Sequence, residues 1–150
     1  MNEAEIEKKL NLEHIKLASI NKRALAYAID EIIISLLFAI IVWDQLQAIK
    51  TPEEMMAYSR SLFVYIMSVK IIYQTIFVYM YGASLGKMAV KIRVIESEYL
   101  GLPTLMQSFI RAVMRIISEI IFYFGYVVAI FSPIRLTWQD RVATTLVVDV

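Results

Sequence analysis

The stretch NKRALAYAIDEIII, Asn21–Ile34, decides the fold. It sets Arg23 at the threshold of a long apolar run and then places Asp30 and Glu31 inside that run. From Ala24 to Trp43 the run has the ~20 residues that cross a hydrocarbon core of ~30 Å as a helix. Trp43 closes it where an indole settles, at the headgroup level. Arg23 and Asp30 share one helical face with Tyr27 between them, and Glu31 lies about 100° round, the more exposed of the two acids. A charge at such depth costs on the order of 2.5–3.5 kcal/mol by insertion scales, so each is expected to face a partner or water.

The surroundings agree with a membrane reading. Of the 150 residues, 59% are hydrophobic and the mean hydropathy is +0.63. A soluble domain has roughly 45–50% apolar residues. The length fits one domain. There is no cysteine, which excludes disulfide and thiolate chemistry. The single histidine, His14, has no neighbours at metal-ligand spacing, so no metal is expected. Before the first span, the charged segment Met1–Lys22 lacks the pattern of a cleavable signal. Met1–Asn21 reads as an amphipathic helix with Ile6, Leu10, Leu17 and Ile20 on one face. A surface-lying helix and a solvated arm both stay open for it.

Beyond Trp43, Asp44–Arg60 reads as a polar connector, with Thr51-Pro52-Glu53-Glu54 the start of a short helix. Ser61–Tyr81 is a second span, with Lys70 near its middle. Gly82–Leu105 is too polar to span, and KIRVIE (Lys91–Glu96) reads as a strand ended by turn-prone residues. Thr104 caps a third helix, on which Arg111, Arg115 and Glu119 recur at i, i+4 and i+8 as one polar stripe. A third apolar region, about 112–132, includes the uncharged run Ile120–Ile134. The β-branched TTLVVDV (Thr144–Val150) reads as another strand.

Lys and Arg near the span ends orient the chain. Lys8, Lys9, Lys16, Lys22 and Arg23 precede the first span, and Lys87, Lys91 and Arg93 follow the second. Lys50 and Arg60 stand in the connector against three acids. The N-terminus and residues 82–115 are therefore expected in the cytoplasm and the connector outside. A plain third crossing would strand TTLVVDV on the far side, away from KIRVIE. With a third apolar helix as the alternative, we expect the third apolar region to turn back near Gly125 as a hairpin or tilted pair of half-helices, so that the two strands pair as a cytoplasmic ribbon.

The buried charges admit two readings. Asp30, Lys70 and Glu119 form steps in a proton or cation path. Alternatively they are fixed ion pairs, Asp30 with Arg115 or Lys70 and Glu119 with Arg115 or Arg111. GASLGKMA (Gly82–Ala89) is not a phosphate loop: three residues, not four, separate Gly82 from Gly86-Lys87, and Met88 follows. It reads as a glycine-flanked turn with Lys87 snorkelling to headgroups. There is no catalytic Ser/His/Asp or Cys/His set, no cofactor motif, and no basic patch with interleaved aromatics. Neither an enzyme nor a nucleic-acid binder is expected.

RALAYAID, GASLGKMAVKIRVI, RAVMR and LTWQDRVATTLVV resemble, in order and spacing, the RDD family of membrane proteins, named for one arginine and two aspartates. Those three fall at Arg23, Asp30 and Asp140. Ser84 stands where the family usually has Thr, and Trp138-Gln139 where Leu-His is common. The match runs from about Ala18 to Val148. It implies a polytopic membrane domain over residues 18–150, after a separate segment 1–17. On its own residues Asp140 reads as a surface turn or cap. The resemblance makes it a partner for a cytoplasmic-side cation, with an Arg23–Asp140 contact, or both near Lys87, as the expectation.

The expected fold is an all-α polytopic membrane protein with a short β-ribbon, in a bacterial inner membrane. Its candidate site residues are Arg23, Asp30, Glu31, Lys70, Gly82, Gly86, Lys87, Arg111, Arg115, Glu119 and Asp140. The expected function is ion or small-solute transport as an oligomer, proton-coupled, with a proton or monovalent cation as partner. The alternative is a non-catalytic scaffold or assembly factor whose charges serve helix packing.

Overall fold

The computed structural model describes residues 3–121, 132, 134 and 136–150. Two long apolar helices dominate it: α2, Ile20–Ala48, and α3, Pro52–Tyr81. Around their shared end gather α1 (Glu3–Leu12), α4 (Leu85–Ala89), β1 (Ile92–Glu96), α5 (Leu105–Ile120), α6 (Trp138–Val142) and β2 (Thr145–Asp149).

Local sequence sets most of the boundaries. Ser19 caps α2 by accepting from the Lys22 amide. Thr51 caps α3 with Pro52 in the first turn and Glu53 and Glu54 behind it. Gly82 ends α3 at φ 69°, a left-handed closure that glycine adopts without strain. Thr104 and Gln107 form a reciprocal capping box on α5, and Thr137 and Asp140 form another on α6.

β1 and β2 pair antiparallel, Ile92 opposite Asp149 through Glu96 opposite Thr145. The expected pairing of KIRVIE with TTLVVDV is present. Both faces of this ribbon are buried, which is why Leu146, Val147 and Val148 run apolar without alternation. One face, with Ile95, Leu146 and Val148, packs on Ile6 and Leu10 of α1. The other, with Ile92, Val94 and Val147, packs on Ala18, Ala26 and Val78. The ribbon is thereby wedged between the N-terminal helix and the ends of α2 and α3.

Two expectations need correction. Met1–Asn21 is not one helix. α1 stops at Leu12, His14 takes a left-handed φ of 55°, and the chain then runs extended. Leu17 bridges to Val148, and the Ala18 amide donates to the Val147 carbonyl at 3.0 Å. The edge of β2 outbids the helix by taking these backbone groups. The connector 44–60 is also largely helical. α2 runs past Trp43 to Ala48 and α3 starts at Pro52, leaving only residues 49–51 between them. The helix does start at Thr51-Pro52, but no Gly or Pro follows to stop it before Ser61.

The hairpin near Gly125, and residues 122–131 of the apolar region 112–132, lie outside the described residues. The described part of that region belongs to α5, which begins at Leu105 and packs on α3. α2 packs chiefly on α4. The apolar 18-residue windows of α2 and α3 are each only 22% buried. Leu36, Leu37, Ile40, Ile41, Phe63 and Val64 stand exposed on them.

Candidate functional site

Inside the junction of α2, α3, α4 and α5 lies a network of charged side chains, built outward from Asp30. That carboxylate is 1% exposed. Its Oδ1 accepts from the Tyr73 hydroxyl at 2.8 Å and the Gly86 amide at 2.9 Å. Its Oδ2 accepts from Ser84 Oγ at 2.6 Å, Gln74 Nε2 at 3.3 Å and Arg115 Nη1 at 3.5 Å. Four elements thus converge on one carboxylate. Asp30 also takes over a capping role: Ser84 stands at the N-cap of α4 without a side-chain cap bond, and Asp30 satisfies the Gly86 amide instead.

Gly86 makes this approach possible. A β-carbon there would stand 2.1 Å from the Ala26 carbonyl oxygen and 2.9 Å from Asp30 Oδ1. α4 therefore rests directly on the α2 backbone, as only glycine allows.

Next to Asp30 a closed ring of ion pairs joins α2, α3 and α5. Lys70 Nζ bridges Glu31 Oε2 at 2.8 Å and Glu119 Oε2 at 2.9 Å. Arg115 reaches the other oxygen of each: Nη2 to Glu31 Oε1 and Nε to Glu119 Oε1, both at 3.2 Å. The Arg115 guanidinium also lies 4.5 Å from the Tyr27 ring centre, a cation–π contact. Asp30 pairs with Arg115, as one of the expected alternatives had it, and Glu119 pairs with Arg115. Lys70 goes to the two glutamates rather than to Asp30. Glu31 is the more exposed acid, its side chain 27% accessible.

The second acid of the network sits at the ribbon end. Asp140 is buried between two arginines: Oδ1 to Arg111 Nη1 at 2.6 Å, Oδ2 to Arg23 Nη1 at 2.9 Å. The Thr137 amide donates to Oδ2 at 3.0 Å. Arg23 continues to the Val147 carbonyl at 3.1 Å, and Arg111 to the Thr145 hydroxyl, so both arginines are fastened to β2. Burial acts to raise the Asp140 carboxyl, but Arg111, Arg23 and the Thr137 bonds outweigh it and hold it below the usual carboxylate range. The expected Arg23–Asp140 contact is present. The reading of Asp140 as a cap is also right, although the cap is buried rather than on the surface.

Lys87 departs from expectation. It is half-buried and its ammonium donates to Ser84 Oγ at 3.2 Å, turned toward the network. Burial, with Arg115 and Arg111 close by, pushes its pKa down to about 7 against the opposing pull of Asp30 and Asp140. Snorkelling fails because Gly86 pins α4 on α2 with Lys87 facing α5. Gly82 stands apart from the charges, serving the end of α3 against Leu102 and the Val94 carbonyl. Among the described residues no three His, Cys, Asp or Glu side chains are placed to hold a metal ion.

Several participants escaped the sequence reading. Tyr73 and Gln74 follow Lys70 at i+3 and i+4, a helical-face signal that was available. Thr137 stands three residues before Asp140, the T-x-x-D spacing of a cap. Ser108 and Thr145 gave no signal.

These features define a class: a small, mostly helical protein with two long apolar helices, a two-stranded antiparallel sheet and an internal charge network. The chain belongs to the RDD family, whose model matches residues 17–144. No curated protein and no solved structure matches it.

Proposed function

We propose that the chain is an integral, multi-pass membrane protein, non-enzymatic, that transports an ion or small solute as an oligomer, by proton-coupled exchange of a monovalent cation. Membrane placement is supported by the exposed apolar surface of α2 and α3, each long and apolar enough to span. The positive-inside count supports a cytoplasmic N-terminus, segment 82–115 and ribbon in a bacterial cell, with the connector 44–60 outside. The oligomer follows from size: two spanning helices with the described α5 do not enclose a pathway alone.

The observation that carries the transport reading is the continuity of the charges. Lys70, Glu31, Glu119, Arg115 and Asp30 connect through Ser84 to Lys87, while Arg111, Asp140 and Arg23 complete the array beside them. Buried ion pairs are often no more stabilising than apolar packing of the same volume. So extensive an array is therefore a poor device for packing alone and a suitable one for passing a proton. In liposomes with an internal pH dye, the protein should show proton movement dependent on a monovalent cation, and Asp30→Asn should abolish it.

A specific observation also favours a scaffold. Both oxygens of Glu31, Glu119, Asp30 and Asp140 are occupied, and the ring joins α2 and α3, which otherwise touch little. Absence of flux in the wild-type protein, with a folding defect in Asp30→Asn, would select that reading.

A further inference from the structure

Between the two halves of the network lies a cavity of about 40 Å³, lined by residues of α2, α3, α4, α5, α6 and β2. That is room for one small ion or about two or three waters. Its wall carries four cations, Arg23, Lys87, Arg111 and Arg115, and one carboxylate, Asp140.

The one carboxylate on this wall is spent and donors remain. Asp140 gives one oxygen to Arg111 and the other to Arg23 and Thr137. Both hydrogen bonds of Arg111 leave from Nη1. Lys87 makes one hydrogen bond, to Ser84, of the three an ammonium can donate. The decisive side chain is Ser108. It is 1% exposed, lines the cavity, and its hydroxyl has no partner among the described residues. A buried hydroxyl left so costs about 1–3 kcal/mol unless something in the cavity meets it. Gln139 offers a second unpartnered buried amide oxygen on the same wall. Its amide group supplies an N–H to the cavity after a half-turn about the last side-chain bond.

The charge balance points the same way. Across the array Arg23, Lys70, Lys87, Arg111 and Arg115 contribute five positive charges, and Asp30, Glu31, Glu119 and Asp140 contribute four negative ones. Among these described groups the positive charges outnumber the negative by one.

We infer that this cavity binds one small monovalent anion, of the size of chloride or bromide, held by Lys87, Arg111, Arg115 and the Ser108 hydroxyl. The inference goes beyond the transport proposal and stands without it, because binding is read in detergent without a gradient. The anion completes the charge balance and gives Ser108 an acceptor. Because the Lys87 ammonium titrates near neutrality, a bound anion and a bound proton favour each other. The charged groups around Lys87 are Asp30 and Arg23 of α2, Arg111 and Arg115 of α5, and Asp140 of α6, and Asp140 is held ionised well below this range. Affinity should therefore fall as pH rises through about 7.

The test is a bromide titration of the full chain in detergent, followed by calorimetry and by melting temperature, with gluconate replacing bromide at constant ionic strength. A saturable bromide signal and a bromide-dependent rise in Tm are expected, with gluconate inert and choline able to replace sodium. Lys87→Gln should weaken bromide at least about tenfold. Ser108→Ala, a smaller change, should weaken it several-fold while keeping the melting temperature in gluconate close to wild type. No saturable signal, meaning the cavity holds water only, would overturn the inference. So would a signal that follows the cation, or one left unchanged by both substitutions.

Discussion

Arg23 and Asp140 lie 117 residues apart in sequence and 2.9 Å apart in space. Arg111 takes the other oxygen of the same carboxylate at 2.6 Å. One acid thus holds two guanidiniums, and through them the start of α2, the middle of α5 and β2. Removing its charge takes from both buried cations the carboxylate they share. Asp140→Asn should destabilise the protein by about 3–5 kcal/mol, read as a lowered melting temperature or denaturant midpoint. In a double-mutant cycle with Arg23→Gln, a coupling of about 0.5–3 kcal/mol is expected. The depressed Asp140 carboxyl also sets a sign for acid. Its contribution is complete above the unfolded value of about 3.9 and is lost as pH falls through the lower folded value. Asp140→Asn should flatten that acid limb.

Gly86 gives a steric prediction. In Gly86→Ala the new β-carbon would meet the Ala26 carbonyl oxygen at 2.1 Å, a backbone atom that cannot swing aside. α4 must lift from α2, and the Gly86 amide must leave Asp30. A loss of about 3 kcal/mol or more is expected in chemical denaturation. Gly101→Ala is the control, since nothing lies within 4 Å of a β-carbon there, and it should be near neutral.

The ion-pair ring makes a different demand. Lys70 is the only described lysine that bridges Glu31 and Glu119, so Lys70→Met leaves two acids to share Arg115. The single change should cost about 3–5 kcal/mol. Lys70→Met with Glu119→Leu should recover part of it, because one unpaired charge is gone. Equal stability of the single and double variants would contradict the ring as drawn.

What was legible in the sequence was local. Caps at Thr51 and Thr104, the turn beginning at Gly82 and the β-branched strands each rest on a few adjacent residues, and each is where it was expected. The Arg111, Arg115, Glu119 stripe was legible for the same reason. Two of the donors of Asp30 were not: Tyr73 and Ser84 stand 43 and 54 residues away, and only the packing of the helices brings them in. The end of α1 was hidden likewise, since it depends on the backbone groups that β2 offers to Leu17 and Ala18. Lys87 was misread because its direction depends on Gly86 seated against Ala26.

The ribbon makes a topological prediction. Leu17 bridges Val148, and Lys22 pairs with Asp149 at 2.7 Å, so the N-terminal segment and the C-terminal strand are held together. Fusions of one compartment-dependent reporter to either end should give the same reading, cytoplasmic by the positive-inside count. Opposite readings from the two ends would be incompatible with the ribbon in a membrane.

Lys87 provides the final prediction, and its sign is opposite to that of a surface lysine. In the folded chain its pKa is lowered from 10.5 to about 7. Between those values the unfolded chain holds a proton that the folded chain has released. Stability therefore rises with pH across this window, by at most about 1.4 kcal/mol per pH unit. Below about 7 both states are protonated and the slope from this group vanishes. Other lysines and tyrosines titrate toward the alkaline end, so the informative quantity is the difference between wild type and Lys87→Met. In gluconate, which is too large for the cavity, the wild type should gain stability relative to the variant from about pH 7 upward. A constant difference from pH 6 to 10 would show that the ammonium faces solvent rather than the cations of α5.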